Sequence, residues 1–156
     1  MNHKVLIGLG SSLGFRERNL RFAHHLLNAD PSLSITRSSR VYHSVPLGEE
    51  AESIFYNQCL ILETDLSPNN LLAVLKSIEV RAGRVRSRRW ADRILDLDIL
   101  LYDTIIIENP DLSIPHKGLL FRSFVIQPAQ DIAGDWIIPT IGSTIKELKV
   151  PVPRCW

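Results

Sequence analysis

Cysteine is scarce in this 156-residue chain: Cys59 sits in an apolar run and Cys155 beside the C-terminus, too few and too poorly placed for a disulfide framework or a zinc site. A reducing cytoplasm is the simplest home for such a sequence. No segment approaches the roughly 18 apolar residues of a membrane span, and the apolar part of MNHKVLIGLG is too short for a secretory signal. A soluble, cytoplasmic protein with no membrane partner is therefore expected. Repeats, low-complexity tracts and linkers are missing too, and no exposed coiled-coil pattern asks for obligate assembly, so the expectation is a monomer with one domain over residues 1–156. That length lets a domain bury about two-thirds of the surface its unfolded chain exposes. Net charge is nearly absent, at +1, but its distribution is uneven. Arg81, Arg84, Arg86, Arg88, Arg89 and Arg93 crowd into one short segment, where something anionic is expected.

The pattern predicts a strand over Lys4 to Leu9, a tight turn at GSSLG, and a helix from about Phe15 to Asn28 with Ser11 or Ser12 as its cap. SLSITRSSRVYHS and IFYNQCLILETDL alternate as a second and third strand, an antiparallel pair across the polar loop VPLGEEAES. SPNNLLAVLKSIEVRAG reads as a helix with Ser67 as N-cap, Pro68 at its first position and Gly83 just past its end. RILDLDILLYD is a strand, Thr104 to Ile107 a short one, and FVIQPAQDIAGDW includes a short helix. The order β-α-β-β-α-β predicts an α+β fold: a ferredoxin-like core with helices packed on an antiparallel sheet.

Within RILDLDILLYD, residues two apart share a face, so Asp96 and Asp98 point one way and Leu95, Leu97, Ile99 and Leu101 the other. Two like charges about 6 to 7 Å apart repel by roughly 2 to 3 kcal/mol at an effective dielectric of 20. Magnesium would offset that cost, since it takes one or two carboxylates plus substrate phosphates; a neighbouring arginine or simple solvation at a sheet edge would do so as well. RAGRVRSRRWADR sets its arginines against Asp92 alone, with Trp90 among them. Arginine suits phosphate through its fork and permanent charge, while an interleaved aromatic also suits single-stranded nucleic acid. His116 follows a proline, with Arg122 and Phe124 close behind, and a histidine so placed either donates to a phosphate or is merely solvated or packed. GLGSSLG lacks the ending of a P-loop and the third glycine of a dinucleotide fingerprint, so a strand-to-helix turn is the reading for it. His24, His25 and His43 have no metal-ligand partner at useful spacing.

GRVRSRRWADRILDLDILLYD followed by IPHKGLLFRSFVIQPAQDIA resembles the paired signatures of the 6-hydroxymethyl-7,8-dihydropterin pyrophosphokinase family of folate biosynthesis, and GLGSSLG, SVPLG, FYN and LET match in order upstream. The resemblance covers nearly the whole chain. It implies transfer of pyrophosphate from ATP to 6-hydroxymethyl-7,8-dihydropterin, with release of AMP. It also implies that Asp96 and Asp98 hold two Mg2+ ions bridging the ATP phosphates, and that Arg84 and Arg93 contact phosphates. Arg86 would lie near the nucleotide, Trp90 and Arg93 would ride on a closing loop, and His116 and Arg122 would bind phosphate oxygens. Glu79 would line the nucleotide site. Phe55 and Phe124 would sandwich the pterin, Asn57 would read its edge, and Ser44 and Leu47 would offer backbone contacts. A nucleotide- or RNA-binding module without catalysis is the other reading, disfavoured for RNA because Asp96 and Asp98 repel a phosphate backbone; a kinase releasing ADP is a third.

The sequence departs from the family pattern at several places. Ala91 and Asp92 stand where Gly-Pro is usual in the closing loop, Ser12 where Asn is usual, and Glu52 where Gln is common. Lys117 and Gly118 replace the usual residues after Pro-His, and PAQDIAG loosens the usual Pro-Leu-x-Glu-Ile-Ala-Pro. Asp92 puts a negative charge beside Arg93. An active enzyme, slowed at loop closure, is the expectation.

Overall fold

A computed structural model describes residues 2–44, 54–83 and 94–150. Alternating apolar residues build the central strand β1 (His3–Ser11), which pairs antiparallel with β4 (Phe55–Thr64) on one side and β5 (Asp96–Tyr102) on the other. β2 (Leu33–Ser38) and β3 (Tyr42–Ser44) both pair with β4, giving the sheet order β2-β4-β1-β5 with β3 beyond β2 along the same edge. With helices α1 (Arg16–Ala29) and α2 (Pro68–Arg81) the core has the expected β-α-β-β-α-β order. Among the described residues no helix is long and apolar enough to cross a membrane.

Side-chain alternation divides the core between the two faces of the sheet. Val5, Ile7, Leu9, Leu60, Leu62, Leu95, Leu97 and Ile99 join Leu20, Leu27, Leu71 and Leu75 of α1 and α2 in one cluster. On the other face Leu6, Cys59, Ile61, Leu100 and Leu101 pack against α3 (Ser123–Ala133) through Ala129, Ile132 and Ala133. This third helix turns a two-layer arrangement into three layers.

Four local expectations are corrected. The second strand is two, because Ser39 breaks the ladder: its hydroxyl takes the Cys59 N–H at 2.9 Å and donates to Arg40 O at 2.7 Å. Leu101 does not share the face of Leu95, Leu97 and Ile99. The register with β1 slips between Leu6 and Ile7, leaving Leu100 as an extra residue, and such a bulge re-aims everything beyond it. Neither Ser11 nor Ser12 caps α1, whose N-cap is Phe15 with no side-chain bond. Ser11 belongs to β1, and its Oγ donates to Ile94 O at 2.5 Å. The strand placed at Thr104 to Ile107 is instead β6 (Ile107–Glu108), paired with β7 (Ser113–Ile114). By contrast α2 is capped as read, with Ser67 accepting from Asn70 N at 3.2 Å and Pro68 in the first turn.

Candidate active site

The register of β1 sets out the floor of the site. Gly10 lies between Asp96 on β5 and Asn57 on β4, and Gly8 between Asp98 and Cys59. Two rows of paired positions thus put both carboxylates and the Asn57 amide on the face that carries α3. Glycine at alternate positions in a strand marks close approach of neighbours, and a Cβ on Gly10 would stand 3.3 Å from Asn57 Oδ1 and 3.9 Å from Asp96 Cβ. The GLG of GLGSSLG is therefore strand and floor, not turn.

β5 is the last strand of the sheet, and its outer edge is taken up by two residues of the expected site. Glu79 Oε2 accepts the Leu97 N–H at 2.7 Å, and the Leu100 carbonyl, at the bulge, accepts the His116 N–H at 2.9 Å. The Glu79 side chain is buried, with Lys76 Nζ 3.6 Å from Oε1. The Glu79 carboxylate, expected to line the nucleotide site, thus faces the edge of β5 at Leu97, between the two aspartates.

His116 opens a 3-10 turn (Lys117–Leu120) by accepting the Gly118 N–H on Nδ1 at 2.9 Å. Its Nε2 is left 3.8 Å from Asp98 Oδ2. Burial first, then Arg122, hold the imidazole below its ordinary value, so near neutral pH it is an uncharged N–H donor facing the carboxylates. Asp98 is displaced the other way, up to about 7, by burial, then by Asp96 and Glu79, against the smaller pull of Lys76 and Arg122. A carboxyl so crowded by negative charge suits a bound cation. Among the described residues no group of three or more His, Cys, Asp and Glu could by itself hold a metal; the pair fits a divalent ion that completes its shell with substrate oxygens.

Arg122 is the N-cap of α3, exposed, with its guanidinium 5.9 Å from the centroid of Phe124 in the first turn of that helix. Phe55 begins β4 opposite Ser44 of β3, and the buried Asn57 stands opposite Tyr42. His43 stacks on Tyr56 with ring centroids 3.9 Å apart while staying exposed, and the half-buried His24 lies 3.0 Å from Gln58 Oε1. Leu47, Glu52, Arg84, Arg86, Trp90, Ala91, Asp92 and Arg93 lie outside the described residues. The flanks of the arginine segment adjoin each other: Ile94 Cδ1 is 3.5 Å from where a Cβ on Gly83 would stand.

Paired aspartates, a neutral histidine donor, an arginine, two half-buried phenylalanines and a buried amide at one end of a ferredoxin-like sheet suit a nucleotide phosphate beside a flat heterocycle. The profile of the 7,8-dihydro-6-hydroxymethylpterin-pyrophosphokinase family matches residues 6–134. The chain belongs to this pyrophosphokinase family. It is 42% identical over 133 residues to the 2-amino-4-hydroxy-6-hydroxymethyldihydropteridine pyrophosphokinase of Haemophilus influenzae, covering 85% of this chain and 83% of that one. With the enzyme of the same name from Pseudomonas aeruginosa the identity is 36% over 153 residues, covering 98% and 94%. Among solved structures it is similar to Plasmodium falciparum HPPK-DHPS with pteroate, with TM-score 0.73 and 18% identity, covering 94% of this chain and 41% of that one. At that identity the likeness shows the fold.

Two residues of this pyrophosphokinase-family site escaped the sequence reading. Gly118, noted there only as a departure, is where a Cβ would stand 3.1 Å from His116 Nδ1 and 3.2 Å from Arg122 Cδ. Asn19 of α1 donates to Ser11 Oγ at 3.1 Å and to Leu13 O at 2.9 Å, tying the end of β1, and through it Ile94, to the helix. Spacing gave no signal for Asn19, because its partners come from the preceding loop and from β1.

Proposed function

We propose that this chain transfers pyrophosphate from ATP to the hydroxymethyl group of 6-hydroxymethyl-7,8-dihydropterin, releasing AMP, as a single pyrophosphokinase domain. The observation that carries the reading is the cross-strand row Asp96–Gly10–Asn57, which sets a phosphate-side carboxylate beside a pterin-side amide with no side chain between them. Phe55 and Phe124 stack on the two faces of the pterin and Asn57 pairs with its edge, while Ser44 and Leu47 offer backbone groups. The pterin hydroxyl oxygen gives up its proton and bonds to the β-phosphorus, the bond from that phosphorus to the α,β-bridging oxygen breaks, and AMP departs with that oxygen, one proton being released overall. His116 Nε2–H and Arg122 donate to phosphate oxygens, and Arg84, Arg86 and Arg93 add positive charge along the polyphosphate. Trp90 and Arg93 belong to a loop that closes over the site and keeps water from ATP. Asp96 and Asp98 hold two Mg2+ ions, which when bound neutralise phosphate charge. Catalysis on this reading is alignment and charge neutralisation. The reading carries with it a monomer acting in the cytoplasm.

The test is to mix the purified protein with Mg2+, ATP and the pterin and to separate the nucleotides. AMP that appears only when the pterin is present supports the reading; ADP as the product, or AMP independent of the pterin, sinks it.

A further inference from the structure

We propose that Tyr42, clasped between Arg40 and Asp131, is a positioning residue that sets the separation of the two walls of the pterin pocket. The proposal rests on the pterin-pocket reading above. Tyr42 Oη donates to the Asp131 carboxylate, both oxygens lying at 3.0 Å, and accepts from Arg40 Nη2 at 2.8 Å. Arg40 closes the triangle, with Nε 3.3 Å from Asp131 Oδ2 and Nη2 3.2 Å from Oδ1. The three groups form a closed, charge-assisted network that ties β3 to α3.

The placement of this network relates it to the pocket. On the sheet side, Tyr42 is paired with Asn57, and the next paired positions along the same ladder are His43 with Tyr56 and Ser44 with Phe55. On the helix side, Asp131 follows Phe124 by seven residues, which is two turns, about 10 Å of axis, on the same side of the helix. One side of α3 therefore carries the clasp at one end and the pterin aromatic at the other. Arg37 Nη1 reaches Ile132 O at 3.1 Å, a second tie between this end of α3 and the same sheet edge. A stacked ring is sensitive to such a spacer, since a gap of about 0.5 to 1 Å forfeits a quarter to a half of the dispersion contact. Of the nucleotide groups, His116, Asp96 and Asp98 hang from β5 at the far edge of the sheet, while Arg122 caps α3 at the end away from the clasp, with an exposed side chain.

The distinguishing measurement is AMP release against each substrate in turn, with melting temperature alongside, for wild type, Tyr42→Phe, Asp131→Asn and the double variant. The expected result is a pterin KM raised about five- to tenfold in each single variant, less than the full worth of a charge-assisted bond because the clasp acts on the pocket through the helix. The double variant shows no further rise, and the ATP KM stays within about twofold. A lower melting temperature with both KM values unmoved, or both rising together, would overturn the proposal by making the clasp purely structural. If Tyr42→Phe does not fold, Arg40→Met removes the other arm from a side chain that is 78% exposed, and the same pterin-selective shift is required of it. Wild-type protein that forms no pterin-dependent AMP defeats the pyrophosphokinase reading and the clasp's pterin role together; active wild type with unmoved variants defeats the clasp alone.

Discussion

Glu79 and Asp98 are both carboxylates beside β5, on either side of Leu97, yet their surroundings differ. Glu79 is 1% exposed and holds the Leu97 N–H at 2.7 Å, with Lys76 beside it. The Asp98 side chain is 44% exposed, but its recess and the charges of Asp96 and Glu79 push it up to about 7. The less exposed group is the one whose bonding the protein itself supplies. The more exposed one is crowded by its own sign, an arrangement that a bound cation would relieve. Within one strand edge a carboxylate bonded into the fold is thus separable from one that the proposed reaction assigns to the substrate side, and replacing each should damage different properties.

The largest effect is expected for Asp98→Ala. AMP formation falls by at least about a thousandfold, the scale on which a site loses a group aimed at transition-state charge, while the melting temperature of the metal-free protein holds or rises because a repelled carboxylate has gone. Near-normal turnover that still depends on Mg2+ would remove Asp98 from the metal site. Glu79→Ala tests the other half of the comparison. A buried hydrogen bond to a charged acceptor is worth about 1.5 to 3 kcal/mol, or about 3 to 10 °C in melting temperature at this size. A variant as stable as wild type would show that Leu97 finds another acceptor.

The pH dependence sharpens the contrast. Asp98 has a folded value, about 7, above its ordinary 3.8, so the native state holds this proton more tightly than the unfolded chain. Its contribution to stability is fully present below about pH 4 and is lost as pH rises through about 7. Without metal, the wild type should therefore lose ground steadily to Asp98→Asn between pH 4 and 8. Mg2+ at pH 8 should restore the wild type and leave the variant unmoved. Parallel curves across that range would mean that the carboxyl titrates normally.

Features that depend on neighbours in sequence were legible before the structure. The Ser67–Pro68 start of α2, the β-α-β-β-α-β order and the shared side of Asp96 and Asp98 all rest on local periodicity or capping chemistry. What escaped depends on distant partners. Nothing in RILDLDILLYD announces that Leu100 is an extra residue, since the slip is defined against Leu6 and Ile7 of β1. Nothing in α2 announces that Glu79 turns to Leu97 N. Ser39 breaks the second strand because Cys59 N, twenty residues on, prefers its hydroxyl. The His116 loop and the clasp at Tyr42 likewise join residues that lie far apart in the chain.

The smallest expected effect concerns Gly118, which the family pattern marks as unusual and the geometry explains. His116 Nδ1 takes the Gly118 N–H while Arg122 N bonds back to Gly118 O at 3.2 Å, so the turn wraps both residues proposed to face the phosphates around one bare Cα. A methyl group there would meet the imidazole at 3.1 Å and the arginine stem at 3.2 Å, and one of them must give by a few tenths of an ångström. Overpacking of this kind costs about 1 to 3 kcal/mol when nothing yields, but Arg122 is exposed and free to swing. Gly118→Ala should therefore keep the fold and raise the ATP KM a few-fold, leaving the pterin KM alone. That selectivity mirrors the clasp, where the pterin KM moves and the ATP KM does not. An equal loss for both substrates would mean that the turn positions the whole of α3, and that the nucleotide and pterin groups of the site are not separable.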